Sequence, residues 1–324
     1  MRTEPAPRFG ARPDLFDQFV TYRRALGYLY GATTVDLAAR LSRHMDAFPP
    51  APGILTEEMV LAFCEPAPGR KALTRKRRWS MARQFALFLQ ASGHDAWVPG
   101  DFPEKCESGF APRILSPDEM ARVIAQADQP PGPRQTEAAR RVCSMLVRML
   151  WCCGLRINEA LNLTVGDVDL GNGVLTVTKA KHGRTRLVPM SKSLADHARG
   201  YADQAGLPCG PADAWFYPSP RGGPYHSGSA RSAIQKIMLR AGVTTDGSRP
   251  PRVHDLRHSY AVACLVELQN NGSDVRAALP ALAAYMGHAD ITSTEYYLKL
   301  AAYAHPDVEA AMAGAYQGVF PEVG

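Results

Sequence analysis

Residues 94–113, HDAWVPGDFPEKCESGFAPR, mix proline, glycine and charge with no helical or strand period, and on both sides of them an apolar pattern resumes. Such a stretch interrupts any core that would run through it, so the chain is expected to fold as two domains joined by a linker. The division is placed at residues 1–107 and 108–324 of the 324, and each part is long enough to bury a core of its own.

The first part reads as all-helical. Leu15, Phe19, Tyr22 and Leu26 recur every three or four positions, and Gly27 follows as a C-cap. A second helix is expected over about Thr34–Phe48, stopping before Pro49-Pro50, and Thr56 with Glu57-Glu58 opens a short third. A fourth, about Thr74–Ala91, buries Trp79, Ala82, Phe85, Ala86 and Leu89. The second part is predicted to be mainly α with a small β-hairpin or sheet, an α+β arrangement. A helix over about Thr136–Cys153 ends at Gly154, and the apolar stretch around Met145–Leu155, broken by Arg148, reads as a buried helix. VLTVT and TRLVPM are β-branched runs flanking a basic turn, the pattern of a hairpin. HDLRH after Pro250-Pro251 opens another helix, and QPPGPR, residues 129–134, is an exposed loop.

A net charge of +6 favours a polyanionic partner. MRTEPAPRFGARPDLF carries arginines with no apolar run after them, unlike a secretory signal, and no stretch approaches a membrane span. The seven cysteines show neither C-x-x-C nor zinc spacing, which fits reduced thiols in a cytoplasmic protein. There is no GxxxxGK[ST] and no acidic cluster able to hold two magnesium ions, so neither cofactor nor metal is expected.

The chemistry-bearing residues are cationic, with one phenol among them. Arg156 stands in GLRINEAL just beyond a helix end, where a guanidinium can grip two oxygens of one phosphate. Lys179 ends the first hairpin strand, and Lys181 is its competitor; the pairing register decides between them. His254 and Arg257 are three residues apart and share a helix face, whereas His258 is read as structural and pointing elsewhere. Glu159 is read as an acid that orients its neighbours. Gly287 permits a tight turn that presents His288, and Tyr297 follows nine residues later with Tyr296 beside it. In the first part, Arg70, Lys71, Arg75, Lys76, Arg77 and Arg78 form the densest basic run, without interleaved acids. Cations at a helix N-terminus oppose the macrodipole, which phosphates would relieve, so Arg75, Lys76 and Arg78 are candidate DNA contacts, with Lys181, His182 and Arg184 in the hairpin.

ILSPDEM, GLRINEALNLTVGDVDL, TKAKHGRTRLVPM, PRVHDLRHSYA and MGHADITSTEYYL, from about Arg113 to Tyr297, together resemble the catalytic domain of the tyrosine recombinases, the phage-integrase family. The resemblance implies a site-specific recombinase or integrase of mobile-element type, with a helical, SAM-like core-binding domain gripping DNA opposite the catalytic domain. It implies Arg156, Lys179, His254, Arg257 and His288 around the scissile phosphate, Lys179 as general acid, and Tyr297 as the nucleophile of a 3′-phosphotyrosyl intermediate. It further implies double-stranded DNA as partner and four protomers on two duplexes. LQNNGSDVRAALP, between Arg257 and His288, is longer than the shortest family versions, and the segment after Tyr297 has helical periodicity that would dock either on a neighbouring protomer or on its own domain. A type IB topoisomerase and a DNA-binding protein with a decayed site stay open as alternatives.

Overall fold

The structure, a computed structural model, describes residues 10, 12–28, 30–48, 54–65, 72–104, 112–130, 132, 136–178, 185–207, 211–219, 222–247, 249–287 and 297–298. The chain forms two compact units, Met1–Phe110 and Ala111–Gly324.

The first unit holds helices α1 (Pro13–Ala25), α2 (Ala32–Met45), α3 (Glu57–Cys64) and α4 (Ala72–Ala91). Thr56 caps α3, its hydroxyl accepting from the Met59 amide at 3.3 Å. Phe16 and Phe19 of α1 lie against Phe85 of α4, with ring centroids 4.1 and 5.3 Å apart, and all three are fully buried. All five residues expected on the inner face of α4 are buried. The face of α1 differs from expectation. Phe16, Phe19 and Val20 form it, with Phe16 and Phe19 against Phe85 of α4, while Tyr22 and Leu26 are exposed.

The linker reading of residues 94–113 is corrected in its first half. The amide of Ile54 donates to the Asp95 carbonyl and that of Trp97 to Leu55, both at 2.8 Å. Trp79 donates its indole N–H to the Gly100 carbonyl at 2.9 Å and packs edge-on against Trp97 and Phe102. Residues 94–104 are therefore part of the first unit's packing. Tertiary pairing supplied the order that no local period announced.

The second unit is mainly helical with a small antiparallel sheet. Its elements are α5 (Pro117–Asp128), α6 (Glu137–Cys152), α7 (Ile157–Leu161), β1 (Val168–Asp169), β2 (Val174–Thr178), β3 (Thr185–Pro189), α8 (Lys192–Gln204), α9 (Ser227–Arg240), α10 (Val253–Asn270) and α11 (Val275–Met286). The strands run in the order β1-β2-β3, and in the β2–β3 hairpin Val177 faces Arg186. Helix α6 packs against α5, α8, α9 and α10; Leu146, Val147 and Met149 are completely buried in it. Burial of each such side chain stabilises the fold by about 1.5–3 kcal/mol. Arg148 sits inside this helix because Asp128 of α5 meets it with both carboxylate oxygens, at 2.9 and 2.6 Å. Among the described residues no helix is long and apolar enough to cross a membrane.

Candidate active site

Two of the helices that end on left-handed glycines point those ends at one arginine. Gly154 follows α6 with φ +57°, and Gly287 follows α11 with φ +68°. A Cβ on Gly154 would run into the ring of Tyr260, so the position requires glycine for space as well as for conformation. Arg257 of α10 donates to the Gly154 carbonyl and to the Met286 carbonyl, each at 2.6 Å. Carbonyls at helix C-termini lack intrahelical partners and carry the negative end of the dipole, so they hold a guanidinium well. Arg257 is only 1% exposed, and its Nε has no hydrogen-bond partner among the described residues. Burial, and then the charge of Arg156, bring its pKa down to about 10, with Tyr297 and Glu159 opposing. It remains a cation at neutral pH.

Arg156 is the N-cap of α7, and Glu159 at the third helical position holds it twice. The Arg156 amide donates to one carboxylate oxygen at 3.0 Å, and Nη1 donates to the other at 2.7 Å. The same carboxylate accepts from Arg186 of β3 at 2.8 Å and lies 3.8 Å from Arg257 Nη1. Burial raises the pKa of Glu159, but the hydrogen bonds from Arg186 and the Arg156 amide outweigh it and hold the carboxyl at about 2. One buried carboxylate thus holds two guanidinium groups by hydrogen bonds and lies beside a third, in line with the reading of Glu159 as an orienting acid.

Sequence reasoning passed over Arg186. It donates Nε to the Tyr285 carbonyl at 2.8 Å, tying the hairpin to α11. The signal was present in the strand alternation: Arg186 shares the inward side of β3 with buried Val188, while Leu187 between them is 65% exposed. A cation on the inward side of a strand needs a buried anion, and Glu159 is that anion.

His254 lies on the first turn of α10, where it lines a cavity of about 530 Å³ together with Arg156. Loss of hydration lowers its pKa to about 4, and the charges of Arg257, Arg156 and Arg252 add to the effect. The imidazole is neutral at physiological pH and able to accept a proton. His258 departs from the expectation that it points elsewhere. Its ring is 4.7 Å from His254 and 5.5 Å from Tyr297. Four residues along a helix return to the same face, so His258 meets His254 edge to face even though it follows Arg257 directly. Tyr297 is 2% exposed and packs in a cluster with Ala261, Val262, Leu265 and Met286; its phenol is within electrostatic reach of Arg257.

The fold thus brings Arg156, His254, Arg257 and Tyr297 into one neighbourhood. Lys179, Lys181, His182, Arg184, His288 and Tyr296 lie outside the described residues. In the first unit, Arg75 pairs with Glu104. Arg78 donates to the Phe63 carbonyl at 2.7 Å and lies over the Phe63 ring. Lys76 and Arg77, between them, are exposed.

Residues 113–303 match the model of the phage integrase family. The chain belongs to that family. It is 32% identical over 289 residues to y4rE of Sinorhizobium fredii (strain NBRC 101917 / NGR234), covering 87% of this chain and 89% of that protein. It is 31% identical over 236 residues to the tyrosine recombinase XerD of Rhizobium meliloti (strain 1021), covering 71% and 70% of the two chains. Among solved structures, the XerH site-specific recombinase bound to a palindromic difH substrate superposes with a TM-score of 0.64 at 15% identity, covering 94% of this chain and 84% of that one. A lambda integrase tetramer bound to a Holliday junction superposes with a TM-score of 0.60 at 17% identity, covering 88% and 76%. Fold and family therefore agree: this is a site-specific recombinase of the tyrosine class.

Proposed function

We propose that this recombinase cleaves and rejoins double-stranded DNA through Tyr297. The phenolic oxygen attacks the scissile phosphorus, the P–O bond to the 5′-oxygen breaks, and the 3′-phosphate stays on the tyrosine. A 5′-hydroxyl from a partner duplex then reverses the step. One phosphodiester is exchanged for another, so the reaction needs no nucleotide or metal ion as an energy source or electrophile.

The observation that carries this reading is the clamp around Arg257. A free phenol titrates near 10 and is about one part in a thousand ionised at pH 7. Beside Tyr297 the fold holds a buried, permanently charged guanidinium, which favours the phenolate and the extra charge on the phosphoryl group. Arg156 supplies a second guanidinium fork on the cavity side, already oriented by Glu159. We assign receipt of the phenolic proton to the histidine pair, with His258 lying between Tyr297 and His254. The leaving 5′-oxygen requires a proton donor, which we assign to Lys179, with Lys181 as the competing residue. His288 is assigned to a non-bridging or leaving oxygen.

On the first unit we assign phosphate contact to Lys76 and its neighbour Arg77, which are exposed, ahead of Arg75 and Arg78, which are engaged within their own unit. Four copies on two duplexes, as in the lambda integrase tetramer on a Holliday junction, would give the two cuts per duplex that strand exchange requires. We place the activity in the cytoplasm, on mobile DNA elements. A nicked suicide duplex incubated with the protein in chelator tests the reading: a covalent protein–DNA band that Tyr297→Phe abolishes supports it, and a band that survives in Tyr297→Phe overturns it.

A further inference from the structure

The cavity beside Arg156 is larger than one phosphate needs. At about 530 Å³ it falls within the range of about 300–1,000 Å³ of sites that take a whole small ligand. Its polar lining is Arg156, Arg231, Arg252 and His254, with the amides of Asn158 and Gln235 between them. The one carboxylate that lines it, Glu159, is occupied by Arg156 and Arg186. Three guanidinium groups around one concavity exceed what a single phosphodiester can satisfy.

Arg252 repeats the construction of Arg156. Each is the N-cap of a helix with an acid at the third helical position. The Arg252 amide donates to one oxygen of Asp255 at 2.8 Å and its Nη2 to the other at 3.1 Å, matching the 3.0 and 2.7 Å pair from Arg156 to Glu159. Asp255 is buried and orients this second arginine, whose side chain is half exposed toward the cavity. Ser, Thr, Asp and Asn are the ordinary N-caps; an arginine there needs another reason. Across the cavity, Arg231 is exposed on α9, and Gln235 follows one turn later on the same face.

We infer that Arg252 and Arg231 hold the phosphate next to the scissile one on the cleaved strand, making the cavity a two-phosphate cradle whose catalytic half is Arg156 and His254. The inference rests on the strand-cleavage reading above. Its physical effect is positioning: fixing the neighbouring phosphate removes the rotation of the strand about the reacting phosphorus, which lowers the barrier without touching the reacting atoms. Neither residue is a catalytic residue in this scheme.

The test begins with a randomised duplex library, from which the wild-type protein captures its own site covalently. A library that yields no covalent product overturns the cleavage reading itself. With a captured site in hand, each phosphate flanking the cleaved one is replaced in turn by a neutral methylphosphonate, and single-turnover cleavage is timed. The variants are Arg231→Gln and Arg252→Ser; serine retains the helix cap while removing the cation, and thermal melting confirms that both remain folded. The expected result is one flanking position at which the methylphosphonate slows wild type about tenfold, each variant on natural DNA slows by a similar factor, and the combination is no slower than either alone. Cleavage that slows multiplicatively at every flanking position, or variants that cleave natural DNA at the wild-type rate, overturns the inference.

Discussion

The arginines of α4 and those around Glu159 form two cationic regions that the sequence presents very differently. In the first turns of α4 the charges are consecutive and conspicuous, yet Arg75 is held by Glu104 and Arg78 by the Phe63 carbonyl, while Lys76 and Arg77 between them stand exposed. Around Glu159 the cations come from three separate elements, α7, β3 and α10, and no two are neighbours in the chain. There a single buried carboxylate and two helix-end carbonyls fix every fork. Density of charge attracts a polyanion; orientation by buried partners makes a site that can act on one of its atoms. The two regions should therefore respond to mutation in different ways, one in affinity and one in rate.

The largest difference is expected at the phenol. Tyr297→Phe should leave DNA affinity within about twofold while removing covalent adduct altogether, read by denaturing gel after incubation with a nicked duplex. Arg257→Ala should follow, slowing cleavage by about 10²–10³-fold, the effect of deleting one preorganised charge donor from a transition state. Because Arg257 is fully buried between two helix ends, this variant is also expected to melt at lower temperature. Comparison with Arg156→Ala, which is more exposed, separates the two effects.

Glu159→Gln comes next and bears most directly on the comparison. The amide keeps the shape but loses the charge that orients Arg156, Arg186 and Arg257, so cleavage should slow about 10–100-fold with little change in affinity. Since the folded-state pKa of Glu159 is about 2, below its ordinary 4.5, its contribution to stability is full above about pH 4.5 and is lost as pH falls toward 2. Acid unfolding of the second unit should therefore set in at lower pH in wild type than in Glu159→Gln, and the gap in stability between them should close as pH falls toward 2, followed by far-UV circular dichroism.

In the first unit, Lys76→Ala with Arg77→Ala should lower affinity and reduce the slope of log affinity against log salt by about 0.9 for each phosphate that is no longer neutralised. Arg75→Ala and Arg78→Ala should change the melting temperature more than the salt slope. The reverse result would return those two residues to the DNA-facing surface. The smallest effect expected is on titration. His254 is depressed to about 4, so cleavage should not follow a histidine titration between about pH 5.5 and 8. The neutral ring also stabilises the fold at pH above its ordinary 6.5, a contribution that disappears as pH falls through 4. Removing the Arg257 charge should raise the His254 pKa toward its ordinary value, measured by histidine NMR.

Much of this architecture was legible because it is local. The α4 core face, the Thr56 cap, the hairpin runs and Gly287 at a helix end all follow from spacing and backbone preference over a few residues. The errors fall where distance in the chain matters. Residues 94–104 looked like linker because their partners, Leu55 and Trp79, lie far back in the chain. Tyr22 and Leu26 share the helical period of the core yet face solvent, since the period names a stripe without saying where the neighbouring helix ends. His258 was set aside by its adjacency to Arg257, although its four-residue distance from His254 carried the better signal.

By itself the sequence determined the family, the two-part organisation, the helices, and the residue types we propose for phosphoryl transfer, because those are encoded in short windows of spacing and composition. Only the tertiary structure decided that Glu159 and Arg186 join Arg156 to Arg257, that Gly154 and Met286 present their carbonyls to one guanidinium, and that Arg252 faces the same cavity. Those contacts pair groups brought together from distant parts of the chain. Their strength comes from exclusion of water, a property of the packed molecule and of no segment within it.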